Sequence, residues 1–159
     1  MAAEGRFVTQ AEVSDLVSAA TLLRVLADTP GAINEDALQL IIDNEESIVI
    51  GAATTEYDDA SLPADPEEAA ETHGGRLLKR ITLSLVKGEI FDRHPEWVRA
   101  DGQSHKAEGM KLVSMLATAK LRLQGLGDPA NVGGEVIPFD GDQEEPVRFW
   151  NGDGGTGYF

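Results

Sequence analysis

The sequence contains no cysteine, which excludes disulfide bonds, thiolate metal ligands and a cysteine nucleophile. It also lacks an uninterrupted apolar run approaching the roughly 20 residues that a helix needs to cross a bilayer. The opening residues, MAAEGRFVTQ, contain no apolar core of the length found in signal peptides. We therefore expect a protein without membrane association. Its 159 residues, 42% of them hydrophobic, suffice for one domain stabilised by side-chain packing.

Basic residues are scarce in most of the chain, which has a formal net charge of −15. Residues 1–75 carry 16 acidic and 2 basic side chains, residues 76–122 carry 5 and 10, and residues 123–159 carry 7 and 1. An acidic surface repels phosphate, so sequence-specific binding to nucleic acid is not expected. A protein that only lets DNA slide past would gain from that repulsion. Simple solubility is the alternative explanation of the charge.

The first half of the chain predicts three helices. Thr9 and Glu12 have the spacing of a capping box, with Phe7 or Val8 as the hydrophobic staple of a first helix. A second helix, ATLLRVLAD, should end at the turn DTPG, residues 28–31. Asn34 should cap a long third helix, whose apolar positions we place on one buried face: Ala37, Leu40, Ile41, Ile48 and Ala52.

Residues 56–75, EYDDASLPADPEEAAETHGG, contain seven acids and no base, and they predict a mobile, solvated loop, although Pro66 is also a suitable helix start. The spacing of Leu78, Ile81 and Leu85 then predicts a fourth helix that ends before Pro95. A fifth helix is predicted over residues 103–124, with apolar residues around nearly its whole circumference, including Met110 and Leu123. The expected fold is mainly α, a four- to five-helix bundle subunit with a long acidic interhelical loop and an extended C-terminal tail.

The helical pattern stops after Leu126, which divides the chain into a helical domain, residues 1–126, and a C-terminal arm, residues 127–159. The arm is rich in glycine and holds five of the nine aromatic residues. Glycine-rich chain cannot bury large rings against itself, and aromatic side chains often anchor interfaces. We therefore interpret the rings as partner-binding anchors: Phe139, Phe149, Trp150, Tyr158 and Phe159.

No residue pattern indicates a catalytic or metal site. Of the three histidines, only His105 has a carboxylate at helical spacing, Glu108, which is a weak pair. The run GDGGTG, residues 152–157, is not followed by Lys-Ser or Lys-Thr and does not open a helix, so it is not a phosphate-binding loop. Acid pairs such as Asp58 and Asp59 lie in a stretch without an apolar pocket to separate their pKa values. We expect no catalysis, no cofactor and no metal.

The order of segments resembles the head-to-tail connector proteins, also called adaptor or head-completion proteins, of tailed bacteriophages. The resemblance covers roughly Phe7 to Leu123. It consists of FVTQAEVSDLV, the turn DTPGAINEDAL before a long helix, a proline-bearing loop, and the pair RLLKRITLSLVKGEIFDRHPEWV and KAEGMKLVSMLATAKLRL. Ala52, Ala53 and Tyr57 also fit the alanine-rich third helix and following tyrosine of that family.

The resemblance implies a structural virion protein at the head-tail interface, assembled in the host cytoplasm. It implies a ring of twelve copies that binds the portal protein on one side and a stopper or tail-completion protein on the other. Double-stranded DNA would pass through the lumen without sequence-specific binding. Within such a ring, the basic segment 76–122 would pair with acidic surfaces of neighbouring subunits.

Two other functions fit parts of the sequence. An acidic DNA-mimic or inhibitor protein, which binds a DNA-binding enzyme, would explain the net charge but not the ten bases within residues 76–122. A small hydrolase would need a nucleophile beside a base, and the sequence shows no such constellation.

Overall fold

The computed structural model describes residues 5–94, 97 and 104–127. This part of the chain is mainly α-helical, as the sequence predicts. It contains a short antiparallel hairpin between the second and third helices. The elements, in chain order, are α1 Gln10–Leu16, α2 Ala19–Leu26, β1 Ala27–Thr29, β2 Ala32–Ile33, α3 Glu35–Ala53, a 3-10 turn Asp59–Ser61, α4 Pro66–Glu71, α5 His73–Asp92 and α6 Ala107–Ala117.

The predicted capping box of α1 is confirmed. The Thr9 hydroxyl accepts a hydrogen bond from the Glu12 amide, and the Glu12 carboxylate accepts one from the Thr9 amide. Phe7 and Val8, just ahead of the cap, are fully buried. These contacts fix the point at which the chain enters the core.

Within the predicted DTPG turn, Pro30 and Gly31 connect β1 to β2, forming a hairpin that the sequence analysis did not predict. Gly31 has a φ of 87°, a conformation that is costly for residues with a Cβ atom. Asn34 then begins α3 as predicted, because its side chain accepts a hydrogen bond from the Ala37 amide at 2.8 Å. The hairpin thus reverses the chain between α2 and α3.

The prediction of the buried face of α3 is confirmed at Ile41 and Ala52 and is wrong at two other positions. Leu40 is 60% exposed and Ile48 is 36% exposed, whereas Leu38, Ile42 and Val49 are buried instead. The apolar residues of α3 span more than one face of the helix, so their spacing alone does not identify the side that packs.

The acidic segment 56–75 is not the continuous loop that its composition predicts. It contains the 3-10 turn and α4, which begins at Pro66 with Asp65 as its cap, so the alternative of a helix start at Pro66 is confirmed. Tyr57, Leu62 and Ala69 are buried. These few apolar side chains pack on the core while the acids between them face solvent. The high content of acidic residues therefore does not show that this segment is folded.

The core is formed mainly by α3, α5 and α6, each of which contacts the other two. The predicted buried positions of α5 are confirmed at Leu78, Ile81 and Leu85. The helix ends at Asp92, before Pro95, also as predicted.

The predicted fifth helix is too long at both ends, because α6 covers only Ala107–Ala117. Ala119, just beyond it, has a φ of 55°, which is incompatible with a continuing right-handed helix. Met110 is 42% exposed, so the helix is not apolar all round. Leu123 and Leu126 follow α6 in a segment without regular secondary structure, and both side chains are buried.

The relative direction of α3 and α5 follows from two sets of contacts. Lys106 binds Glu45, in the middle of α3, and Glu89, near the C-terminal end of α5. Just after the C-terminal end of α3, Tyr57 binds the Leu123 amide, and at the start of α5 Gly74 donates to the neighbouring Gln124 carbonyl. The two helices are therefore antiparallel, and residues 123–127 close one end of the bundle.

Candidate interaction surfaces

Glu46 on α3 holds the N-terminal segment in place. Its buried carboxylate accepts backbone hydrogen bonds from Arg6 at 2.6 Å, Phe7 at 2.7 Å and Val8 at 3.0 Å. Gly5 lies so close that a Cβ atom there would be 2.6 Å from Glu46 Oε1. This carboxylate satisfies buried amides, which is an architectural role.

Arg6 links the same segment to the acidic stretch. Its Nε donates to the Pro63 carbonyl at 2.6 Å, and its Nη1 pairs with the Asp59 carboxylate at 2.6 Å. Further bonds reach the Asp59 and Leu62 carbonyls. One arginine therefore ties residues 59–63 to the N-terminus.

Lys106 lies between two carboxylates from different helices. Its Nζ donates to Glu45 at 2.7 Å and to Glu89 at 3.1 Å. Burial alone would lower the pKa of Lys106, but the hydrogen bonds and charges of the two glutamates raise the pKa above its ordinary value. Burial acts to raise the pKa of Glu89, but Arg93 and Lys106 outweigh it and lower the pKa. This cluster joins α3, α5 and the start of α6.

Asp92 shapes the turn that leads into α6. Its carboxylate accepts hydrogen bonds from the Ser104 hydroxyl and from the His105 amide, the latter at 2.7 Å. Burial opposes the charged form, but these bonds lower the pKa of Asp92 overall.

The histidines near this turn belong to a ring cluster. The His94 ring stacks on Trp97 with centroids 4.2 Å apart, and Phe91 lies 5.2 Å from Trp97 and 5.4 Å from His105. His105 Nε2 also donates to the Trp97 carbonyl at 2.6 Å. Within the described residues, no group of three histidine, aspartate or glutamate side chains is arranged to hold a metal ion.

The last described residues, 123–127, pack against the start of α5. Gly74 at the start of α5 donates to Gln124 at 2.7 Å, and a Cβ atom on Gly74 would lie 2.9 Å from the Leu126 side chain. Gly125 and Gly127 both have a φ of 88°. A Cβ atom on Gly127 would lie 3.9 Å from the Ser61 hydroxyl, so the arm starts beside the acidic segment.

The predicted anchors lie beyond this point. Phe139, Phe149, Trp150, Tyr158 and Phe159 are outside the described residues. Their role as partner-binding residues stays a prediction.

Two charged stripes on the bundle surface were missed by the sequence analysis. The acidic stripe on α3 consists of Asp36, Leu40 and Asp43, and all three side chains are exposed. The basic stripe on α5 consists of exposed Arg80 and Lys87 with half-buried Leu83 between them. The spacings place each set on one face of its helix. The net charges of the segments indicated an acidic first half and a basic region after residue 75. Only the structure shows which charged residues share an exposed face.

No family model matches this chain, and no curated protein or solved structure is significantly similar to it. Among the described residues, none of the helices combines the length and apolar character required to span a membrane. The surfaces of this chain and the resemblance in segment order are therefore the features that bear on its function.

Proposed function

We propose that this chain is a structural subunit of a phage head-to-tail adaptor, which forms a ring between the portal protein and a stopper or tail-completion protein. The ring would contain twelve copies and would let double-stranded DNA pass through its lumen. The chain would act without catalysis or a cofactor, at the head-tail interface of the virion.

The order of elements supports this proposal most directly. A capped α1, the turn before a long α3, a proline-bearing segment and the α5–α6 pair occupy the segments that carry the resemblance. The buried charged residues also fit a structural subunit, because Glu46 binds backbone amides and Glu45 binds Lys106. These groups already serve to hold the bundle together.

The surface charge is consistent with the same function. Exposed acids on α3 and on residues 58–71 give much of the bundle a negative surface. Such a surface would let DNA slide past without binding it. The bases on α5 then provide a site of opposite sign for an acidic neighbour.

A binding experiment separates this function from the DNA-mimic alternative. The chain should pull down the portal protein encoded in a neighbouring reading frame, and electron microscopy should show added density on one face of the portal ring. A DNA mimic would instead leave the portal bare and would displace DNA from a DNA-binding enzyme in a titration.

A further inference from the structure

We propose that the acidic stripe of one copy binds the basic stripe of a second copy, with α3 and α5 antiparallel across the contact. This inference rests on the proposed function for its biological use, since a ring needs a repeating contact between copies. The contact itself would involve six residues of the bundle surface, three on each helix.

The two stripes have the same spacing. Asp36 and Asp43 are seven residues apart on α3, and Arg80 and Lys87 are seven residues apart on α5, which is about 10.5 Å along a helix axis in each case. Leu40 lies four residues after Asp36, and Leu83 lies four residues before Lys87. In the antiparallel orientation, Asp36 therefore meets Lys87, Leu40 meets Leu83 and Asp43 meets Arg80.

The side chains of the stripes have few partners within one copy. In the described part of the chain, Arg80 and Lys87 form no ion pair, and the Lys87 ammonium only lies 5.8 Å from the centre of the Phe91 ring. Asp43 accepts a hydrogen bond from the neighbouring Gln39 at 2.8 Å. Leu40, 60% exposed, offers apolar area at the centre of the acidic stripe. Opposite charges flanking an apolar centre favour one partner and one register.

The kind of assembly depends on the sides of the subunit that the two stripes face. Stripes on the same side would pair twice in a closed two-fold dimer, whereas stripes on different sides leave one acidic and one basic stripe unoccupied at the ends of each pair of copies. A ring requires the second arrangement. Such a heterologous contact repeats from copy to copy and closes into a ring if the rotation permits.

Cysteine cross-linking tests the register directly, because the natural chain contains no cysteine. Leu40→Cys and Leu83→Cys variants, one carrying a size tag, would be mixed under mild oxidation. We expect a disulfide-linked heterodimer, in a yield that falls as salt screens the charges. The matched control replaces Leu83→Cys by Ser114→Cys, an exposed position on α6. A heterodimer yield no higher than in that control would overturn the contact.

Charge reversal supplies a second test that needs no cysteine. Asp36→Lys with Asp43→Lys should weaken self-association about tenfold in sedimentation at low salt. Adding Arg80→Glu with Lys87→Glu should restore it. Asp15→Lys with Asp58→Lys makes the same change in net charge at exposed sites outside the stripes, and should have a smaller effect. An equal effect of both pairs, or the absence of rescue, would refute the proposed pairing.

These tests are independent of portal binding. A chain that cross-links through the stripes but ignores the portal would contradict the proposed function and leave the contact standing. A chain that forms rings on the portal without the Leu40–Leu83 cross-link would support the proposed function and contradict the contact.

Discussion

Glu46 Oε1 accepts a hydrogen bond from the backbone amide of Phe7 at 2.7 Å, across 39 residues of sequence. The same oxygen accepts the Val8 amide, and the other carboxylate oxygen accepts the Arg6 amide. A single side chain therefore satisfies three amides of the segment that leads into α1.

Replacing Glu46 should destabilise the fold. Glu46→Ala leaves buried amides without acceptors, and we expect the free energy of unfolding in urea to fall by about 3 kcal/mol. Asn44→Ala, at an exposed position of the same helix, should change it by less than about 0.5 kcal/mol. Similar values for the two variants would show that the amides gain other partners.

Substitution by alanine should change the stability of the protein in opposite directions at two glycines. A Cβ atom on Gly88 would lie 2.7 Å from the Lys106 backbone nitrogen, whereas Gly51 has nothing within 4 Å. Gly88→Ala should therefore destabilise the protein by about 1–3 kcal/mol through steric strain. Gly51→Ala should stabilise it by about 0.5–1 kcal/mol through helix propensity. Thermal unfolding of both variants measures the difference, and a shared sign would contradict the predicted packing around α6.

Acid should destabilise the protein through carboxylates whose pKa is lowered in the folded state. The net effect of burial, hydrogen bonds and positive neighbours lowers the pKa of Glu12 and Glu89 below 4.5, and that of Asp92 below 3.8. Their stabilisation is complete above these ordinary values and is lost as the pH falls through the lower folded values.

The acid prediction is checked by urea unfolding between pH 6 and pH 3. Stability should fall toward pH 3, and Glu89→Gln should reduce the slope because one titrating group is removed. At alkaline pH, the raised pKa of Lys106 should keep its contribution intact up to about its ordinary value of 10.5. An unchanged acid slope in Glu89→Gln would show that its ion pairs add no stability.

Two truncations test whether the C-terminal arm contributes to the stability of the bundle. Deleting residues 135–159 should leave helical circular dichroism and the Tm nearly unchanged, while weakening attachment to the portal. Deleting residues 123–159 should lower the Tm, because Leu123 and Leu126 are buried. If both truncations lower the Tm equally, the arm belongs to the subunit's own core.

Trp150 should carry much of that attachment. We expect Trp150→Ala to weaken portal binding by about 2 kcal/mol or more, roughly 30-fold in Kd, which is typical of an aromatic anchor. The measurement is titration of the portal ring with wild-type and variant chains. Equal affinities would remove Trp150 from the set of anchors.

The sequence predicted the parts of the fold that depend on local chemistry. The Thr9 cap, the Asn34 cap and the apolar face around Ile81 follow from side-chain hydrogen bonding and helical spacing. The burial of Leu62 and Ala69 in an acidic stretch was not predictable, because it depends on tertiary contacts. Leu40 was wrongly assigned to the core. An apolar residue type does not show whether its face of the helix is covered by another element.

The surface charges could also be predicted only in part. Segment charges indicated an acidic first half and a basic region, but the proposed contact between Asp43 and Arg80 of two copies depends on knowing which side chains are exposed. The ion pairs of Lys106 with Glu45 and Glu89 were also missed, because long-range partners leave no fixed spacing in the sequence.

Electron microscopy of the portal ring incubated with a saturating excess of this chain tests the central proposal most directly. We expect a closed ring of copies on one face of the portal, which is lost when residues 135–159 are deleted. A portal ring that stays bare, together with a chain that competes with DNA for a DNA-binding enzyme, would contradict it.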